Sequence, residues 1–170
     1  MERHDALADF DVALDEWEGA FAKVPDGALT YLKPGDDYSL GGLQVHVNWV
    51  LAHYRRVLDG MIAAGFAQTA PRDPPDDVRR ALDRAKRGLM PAERRGSLAE
   101  MAQLHAAVRS TISEMPDGDW SRKASVIYGE GQDPYPTSPE DVIGWLREHY
   151  REHVEQSADL IEEWAAAHGS

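Results

Sequence analysis

Apolar residues recur at alternating spacings of three and four along four stretches of the chain. This pattern is typical of helices that bury one face against a core. It predicts four helices, over residues 5–22, 39–65, 77–115 and 139–167. In the first stretch the apolar positions are Leu7, Phe10, Leu14, Trp17 and Phe21. Only one short run resembles a strand, "SVIY" at 125–128. We therefore expect no substantial sheet.

The ends of these segments show helix signals. Ser39 is a hydroxyl residue that can cap the second helix, and Ser138 followed by Pro139 favours the start of the last one. Pro91 lies inside the third stretch and removes a backbone donor, so a kink or break belongs there. Long connections join the first helix to the second and the third to the fourth. The sequence therefore predicts an all-α fold, a four-helix bundle with long crossover loops, formed as a single domain over 1–170.

Composition narrows the classes of function. The net charge is −12, which argues against nucleic acid and anionic membranes as partners, because both attract basic surfaces. The chain contains no cysteine, which excludes disulfides, thiolate metal sites and a cysteine nucleophile. Its N-terminus is charged from the second residue, unlike a signal peptide, and no apolar run approaches the roughly 18 residues of a membrane span. We therefore expect a soluble, cytoplasmic protein.

Two histidines lie four residues apart in the predicted last helix, within "WLREHYREHVEQ". His149 and His153 continue an apolar seam, with Leu146 before them and Leu160 after them. Burying an unpaired imidazole costs on the order of 1–3 kcal/mol, so the pair needs partners. Hydrogen bonds to polar groups of the core would satisfy them one at a time. A divalent metal ion would satisfy both at once, and we favour this interpretation.

Two known arrangements of metal ligands do not fit this helix. The segment "HYREH" matches the H-x-x-E-H spacing of inverted zinc proteases, with Glu152 as general base. Those enzymes take a third ligand well downstream, whereas only 17 residues follow His153. A di-iron bundle needs a glutamate three residues before its histidines, and Leu146 and Tyr150 stand at those positions. The third ligand must therefore come from another helix.

Three other histidines are candidates for the third ligand. His46 and His53 are seven residues apart on the second helix, nearly two turns, so periodicity cannot separate them. His105 sits beside the apolar stripe of the third stretch, which indicates a boundary position rather than a ligand. His4 and His168 lie at the termini and are expected to be solvated.

Two short motifs resemble those of a known family. "YSL" opens the second helix, His46 follows eight residues after its tyrosine, and "WLREHYREHVEQ" looks like the second motif. In these motifs, and in element order over nearly its whole length, the chain resembles the DinB-like (YfiT-type) superfamily. The resemblance implies a four-helix bundle in which one histidine of the second helix and an H-x-x-x-H pair of the fourth hold a metal. On this sequence those ligands are His46, His149 and His153.

His53 falls two full turns after the family's histidine and is the weaker candidate. Two features of this sequence depart from the family pattern. Tyr38 stands where a tryptophan is commoner. Gly41 and Gly42 occupy a first helical turn where better helix formers are usual.

Three neutral imidazoles suit Zn²⁺, Ni²⁺ and Fe²⁺ and leave a coordination position open, as in catalytic sites. Such a metal can lower the pKa of bound water to about 7 or hold a substrate thiolate. The resemblance implies a metal-dependent enzyme of small molecules: a thiol-dependent transferase or isomerase that uses a low-molecular-weight thiol, or a hydrolase. Because the chain has no cysteine, a cofactor or substrate must supply the thiol. The alternative is a non-catalytic metal-binding or stress-related helical bundle.

Catalytic and substrate-binding residues stay unassigned. Arg122, Lys123 and Tyr128 lie in the long loop before the last helix and would orient an anionic substrate if that loop covers the site. The alternative is a surface crossover with an exposed basic pair. Glu152 lies about 100° around the helix from His153, which predicts a side chain that faces solvent.

The helices also offer more apolar surface than one seam requires. Trp49, Trp145 and Trp164 all lie on long predicted helices, where a second subunit would cover them. We therefore expect a homodimer, which the family resemblance also permits.

Overall fold

A computed structural model describes residues 1–169, and within them the chain forms five α-helices and one small sheet. The helices are α1 (Arg3–Ala22), α2 (Leu40–Ala63), α3 (Pro75–Arg87), α4 (Arg94–Glu114) and α5 (Pro139–Ala167). The strands are β1 (Gln68–Thr69), β2 (Ala124–Val126) and β3 (Tyr135–Thr137). None of the helices in this range is long and apolar enough to cross a membrane. The predicted all-α helical bundle is confirmed.

The core lies between α1, α2, α4 and α5. Helix α1 packs mainly on α5, and α2 packs on both α4 and α5. The seam predicted for α1 is buried at every position except Leu14, which is partly exposed. Burying one large apolar side chain contributes roughly 1.5–3 kcal/mol, so this core is the main force that assembles the helices. Its largest fully buried side chains include Phe10, Trp17, Leu43, Met101 and Tyr150.

The interruption predicted near Pro91 is a complete break. The stretch predicted as one helix over 77–115 therefore forms two helices, α3 and α4. Between them Gly88 adopts a φ of 91°, a conformation that glycine tolerates and other residues rarely adopt. Leu89 is buried in the break, so the chain turns inward there. As a result α3 lies outside the bundle against α2, with Ala85 as its one buried residue.

Helix α2 begins as the sequence predicts. The Ser39 hydroxyl accepts a hydrogen bond from the Gly42 amide at 3.0 Å. A Cβ atom on Gly42 would lie only 1.6 Å from the carbonyl oxygen of Ala85. A Cβ atom on Gly41 would lie 2.4 Å from the carbonyl oxygen of Leu29. The two glycines that differ from the family pattern therefore allow α3 and the loop before α2 to pack directly on the first turn of α2.

Helix α5 is the longest helix described, with 29 residues. Ser138 and Asp141 hydrogen-bond each other's backbone amides at its start, and Pro139 occupies the first helical position. This capping box matches the start predicted from the sequence. The middle of the helix, where His149 and His153 lie, packs between α1 and α2.

The small sheet lies against the C-terminal half of α2. Strand β2 is central, parallel to β1 and antiparallel to β3. Ala124 and Val126 of β2 pack with Val57 and Met61 of α2 in a second apolar cluster. The sheet therefore anchors part of the long connection between α4 and α5 to the bundle.

Candidate metal centre

Three histidine side chains from two helices meet between α2 and α5. The Nε2 atom of His149 lies 3.1 Å from Nε2 of His46 and 3.0 Å from Nε2 of His153. One ring nitrogen from each residue falls within 4.8 Å of the other two. Within residues 1–169 no carboxylate and no fourth histidine joins this group. The structure thus brings together the three residues that the family resemblance indicated.

The spacing of the three nitrogens fits a single metal ion. Zinc binds histidine nitrogens at about 2.0–2.1 Å, so two such ligands on one ion lie about 3.0–3.4 Å apart, depending on the angle between them. Hydrogen bonds among the histidines alone leave one contact unsatisfied, because Nε2 of His149 faces two neighbours and holds at most one proton. A cation accepts lone pairs from all three nitrogens. Neutral imidazoles suit Zn²⁺, Ni²⁺ and Fe²⁺.

Gln156 fixes the orientation of one ring. Its Oε1 accepts a hydrogen bond from Nδ1 of His153 at 2.8 Å. With a proton on Nδ1, Nε2 of the neutral ring presents a lone pair to the group. Outer partners of this kind are typical of metal-binding histidines. Sequence reasoning missed Gln156, although its spacing of three from His153 places it on the same helical face and could have revealed it.

Burial keeps the three rings neutral. Loss of solvent lowers the pKa of His46 to about 4, with a smaller contribution from repulsion by His153. Desolvation, followed by repulsion from the other two histidines, lowers the pKa of His149 to about 3. Burial also lowers the pKa of His153, against the opposing effect of its hydrogen bond to Gln156. At pH 7 all three imidazoles are therefore in the form that binds metals.

Aromatic side chains border the group. Tyr38 stacks on the His46 ring, with centroids 4.2 Å apart, and Trp17 meets the His153 ring edge-on at 6.2 Å. A small, mostly apolar pocket of about 50 Å³ lies beside His46, between α2 and α3. A small molecule in this pocket would contact His46. The pocket is also lined by Tyr38, Trp49, Val78, Ala81, Leu82 and Ala85.

His53, the alternative third ligand on α2, lies outside the group. Its Nδ1 is 2.7 Å from the carboxylate of Asp73, in the connection between α2 and α3. Asp73 also accepts a hydrogen bond from Arg56 at 2.6 Å. The His53 ring stacks on Trp49 with centroids 5.3 Å apart. These contacts give His53 a structural role: it holds the connection between α2 and α3 against α2.

His105 is buried, not at a boundary, and it is also outside the group. Its Nε2 lies 3.0 Å from the carboxylate of Asp11, and its Nδ1 lies 3.1 Å from the hydroxyl of Tyr150. This chain of contacts joins α1, α4 and α5. His4 and His168 are exposed near the termini, as expected.

The candidate residues of the long loop bind other parts of the protein. Arg122 donates a hydrogen bond to the carbonyl oxygen of Gly65 at 3.2 Å. Lys123 pairs with an aspartate of α5, and the Tyr128 hydroxyl lies 2.8 Å from a threonine hydroxyl of β3. Glu152 is exposed, as predicted. These contacts favour a structural role for the loop residues over substrate binding.

The fold and the histidine group define a helical-bundle protein with a three-nitrogen site suited to a divalent metal. The family model of the DinB superfamily matches residues 9–157, which contain all three histidines. The chain therefore belongs to the DinB superfamily, and the resemblance seen in its motifs is confirmed. No curated protein matches the sequence.

Proposed function

We propose that this protein is a metal-dependent enzyme of small molecules and that His46, His149 and His153 hold its divalent cation. One observation supports the proposal most directly: three neutral imidazoles converge with Nε2 separations of 3.0 and 3.1 Å. No fourth protein donor joins them in the part of the chain that is described. Three protein ligands leave room for water or substrate, as in catalytic sites.

The residues around the group have separate roles in this proposal. A bound cation would supply Lewis-acid chemistry, either by lowering the pKa of water or by holding a thiolate. Gln156 keeps a proton on Nδ1 of His153 and so keeps its Nε2 lone pair available. Tyr38 and Trp49 line the pocket beside His46 and would exclude water from the apolar part of a substrate.

Among reaction classes we favour transfer or isomerisation that depends on a low-molecular-weight thiol, with hydrolysis second. No carboxylate belongs to the histidine group within residues 1–169, so the group offers no general base to activate water. A small thiol has a free pKa of about 8.5, far below that of water, so on binding a cation it would lose its proton to solvent without such a base. Since the chain has no cysteine, the thiol must arrive as a cofactor or substrate.

The second candidate function is metal binding without turnover, as in a stress-related helical bundle. The small volume of the pocket beside His46, about 50 Å³, favours this alternative, because a substrate would have to displace side chains of α3.

The two candidates are separated by a turnover assay. Protein purified without an affinity tag and loaded with Zn²⁺ or Ni²⁺ is incubated with small thiols and electrophiles, and loss of free thiol is followed. If the protein is an enzyme, wild type consumes the thiol over many turnovers and His149→Ala does not. Full metal occupancy without turnover on thiols, electrophiles or small esters favours the non-catalytic alternative.

Three expectations from the sequence stay proposals: a single domain over 1–170, a cytoplasmic location and a homodimer. Trp49, Trp145 and Trp164, which motivated the dimer, are partly buried and pack against the core of their own chain. Exposed apolar side chains elsewhere, including Leu82 at 51% and Tyr135 at 56%, are the surfaces a second subunit would cover. Light scattering at tens of micromolar tests this, because a monomer has a mass of 18.9 kDa and a dimer twice that.

A further inference from the structure

A second, larger cavity shares Trp49 with the pocket beside His46. It is a groove of about 370 Å³ between α2, α3 and α4. That volume is within the range of small-molecule sites, roughly 300–1,000 Å³. The groove and the pocket beside His46 share Trp49 and Ala81 as lining residues, so they are neighbouring cavities.

One wall of the groove provides an arginine without an acidic partner. Helix α3 has four arginines, and three of them pair with carboxylates: Arg79 with Asp76, Arg80 with Asp77, and Arg87 with Glu93. Within residues 1–169 the guanidinium of Arg84 forms no ion pair, and Arg84 lines the groove. Its planar set of donors is the geometry that binds a carboxylate with two parallel hydrogen bonds.

The facing wall provides a carboxylate without a basic partner. Glu100 of α4 lines the groove and, in the described part of the chain, forms no ion pair. Its one hydrogen bond is a long one, 3.3 Å from the Nδ2 atom of Asn48. Arg84 and Glu100 do not pair with each other, so two opposite charges face the same space from different helices. Apolar residues also line the groove: Val45, Trp49, Ala52 and Ala81.

We propose that this groove binds a small zwitterion, a molecule of amino-acid type with one carboxylate, one ammonium group and an apolar portion. Arg84 takes the carboxylate, Glu100 takes the ammonium group, and the apolar portion lies against Trp49. The other two charged residues of the lining, Asp77 and Arg80, pair with each other. The unpaired charges of Arg84 and Glu100 therefore favour a ligand with both charges over a simple anion or cation, which would leave one of them unpaired. The site does not require the metal.

The indole N–H of Trp49 reports binding directly. The chain has five tryptophans, and hence five indole signals in a ¹⁵N–¹H spectrum; Trp49→Phe identifies the one that belongs to Trp49. Metal-free protein is titrated with L-leucine, with N-acetyl-L-leucine, which lacks the ammonium group, and with L-leucinamide, which lacks the carboxylate. We expect L-leucine to shift the Trp49 signal saturably and each blocked form to bind about tenfold more weakly or worse.

Two variants and two matched controls test the assignment of the charges. Arg84→Gln and Glu100→Gln should each raise the dissociation constant for L-leucine about tenfold or more. Arg79→Gln on α3 and Glu114→Gln on α4 remove exposed charges outside the groove and should leave it unchanged. No saturable shift up to tens of millimolar, equal binding of N-acetyl-L-leucine, or unchanged binding by Arg84→Gln would each overturn the proposal. Because metal is absent from the titration, these outcomes are independent of the proposed metal function.

Discussion

His46 and His149 approach each other to 3.1 Å between their Nε2 atoms, although 103 residues separate them in the chain. The contact joins α2 to α5 inside the bundle. A cation shared by these residues would link the two helices in the folded state and would have no comparable site in an unfolded chain. Metal binding and stability should therefore be coupled.

The first prediction concerns the ligands. Wild-type protein should bind one equivalent of Zn²⁺ or Ni²⁺, and His149→Ala should abolish that stoichiometric binding because it removes the nitrogen between the other two. At free metal one hundredfold above the dissociation constant, binding stabilises the fold by about 2.7 kcal/mol. Elemental analysis and melting curves with and without chelator measure both effects.

His53→Ala is the matched control for the metal content. His53 lies on the same helix as His46 but contacts Asp73, so its loss should leave the metal stoichiometry intact. If His53→Ala empties the site and His46→Ala does not, the ligand assignment is wrong. If metal-loaded wild type melts at the same temperature with and without chelator, and no metal co-purifies, the histidines have a structural role instead.

The second prediction is a pH dependence of the metal-free protein. The folded-state pKa values of His46 and His149, about 4 and about 3, lie below the unfolded reference of about 6.5. Between those values the unfolded chain binds protons that the folded chain does not. The stability that these neutral rings contribute is fully present above about pH 6.5 and is lost as pH falls toward the folded-state values. Urea unfolding midpoints measured from pH 7.5 to 4.5 should therefore decline with acid.

His149→Gln provides the comparison, since glutamine does not titrate. Its midpoint should fall less steeply than that of wild type over the same pH window, while contributions from groups outside the three histidines cancel. Parallel curves for the two proteins would show that His149 does not have a depressed pKa.

The third prediction concerns Gln156. Replacing it with leucine removes the acceptor that holds the proton on Nδ1 of His153. Losses of such outer partners typically lower metal affinity about 10- to 100-fold. We expect Gln156→Leu to bind metal with the same stoichiometry but weaker affinity in competition with a chromogenic chelator. An exposed glutamine on α4, Gln103, offers the control, and an affinity equal to wild type in Gln156→Leu would contradict the assigned role.

The site could be predicted in part from the sequence. The spacing of His149 and His153 on an apolar seam is local information, and it identified a pair of which His153 is buried and His149 half-buried. The choice between His46 and His53 is not local, because seven residues return a helix to nearly the same face. That choice depends on Asp73, which lies 20 residues further along and binds His53 in the folded protein. The family motif resolved what periodicity could not.

The fold was predictable to a similar extent. Apolar periodicity identified the bundle, but it could not show that α3 leaves it, since that depends on the turn at Gly88 and the burial of Leu89. Apolar periodicity also did not reveal the buried polar contacts in the first half of α2. There Gln44 accepts a hydrogen bond from the Trp17 indole at 2.7 Å and donates one to Asn48 at 2.9 Å. The Trp17 partner comes from α1, and such a contact between helices leaves no periodic signal in α2.

The last prediction tests why two glycines begin α2. A Cβ atom on Gly42 would lie 1.6 Å from the backbone carbonyl oxygen of Ala85, and backbone cannot move aside as a flexible side chain can. Gly42→Ala should therefore force the end of α3 away from α2 and destabilise the protein by about 1–3 kcal/mol or more. The urea midpoint of the metal-free protein measures this change.

Gly19→Ala is the matched control, because Gly19 lies exposed inside α1 with no atom within 4 Å of its would-be Cβ. Alanine is the better helix former, so this substitution should stabilise the protein by roughly 0.5–1 kcal/mol. The same chemical change thus has opposite signs at the two positions. If Gly42→Ala were as stable as wild type, the close approach of α3 to α2 would not be a feature of the folded protein, and neither would the pocket that α3 encloses beside His46.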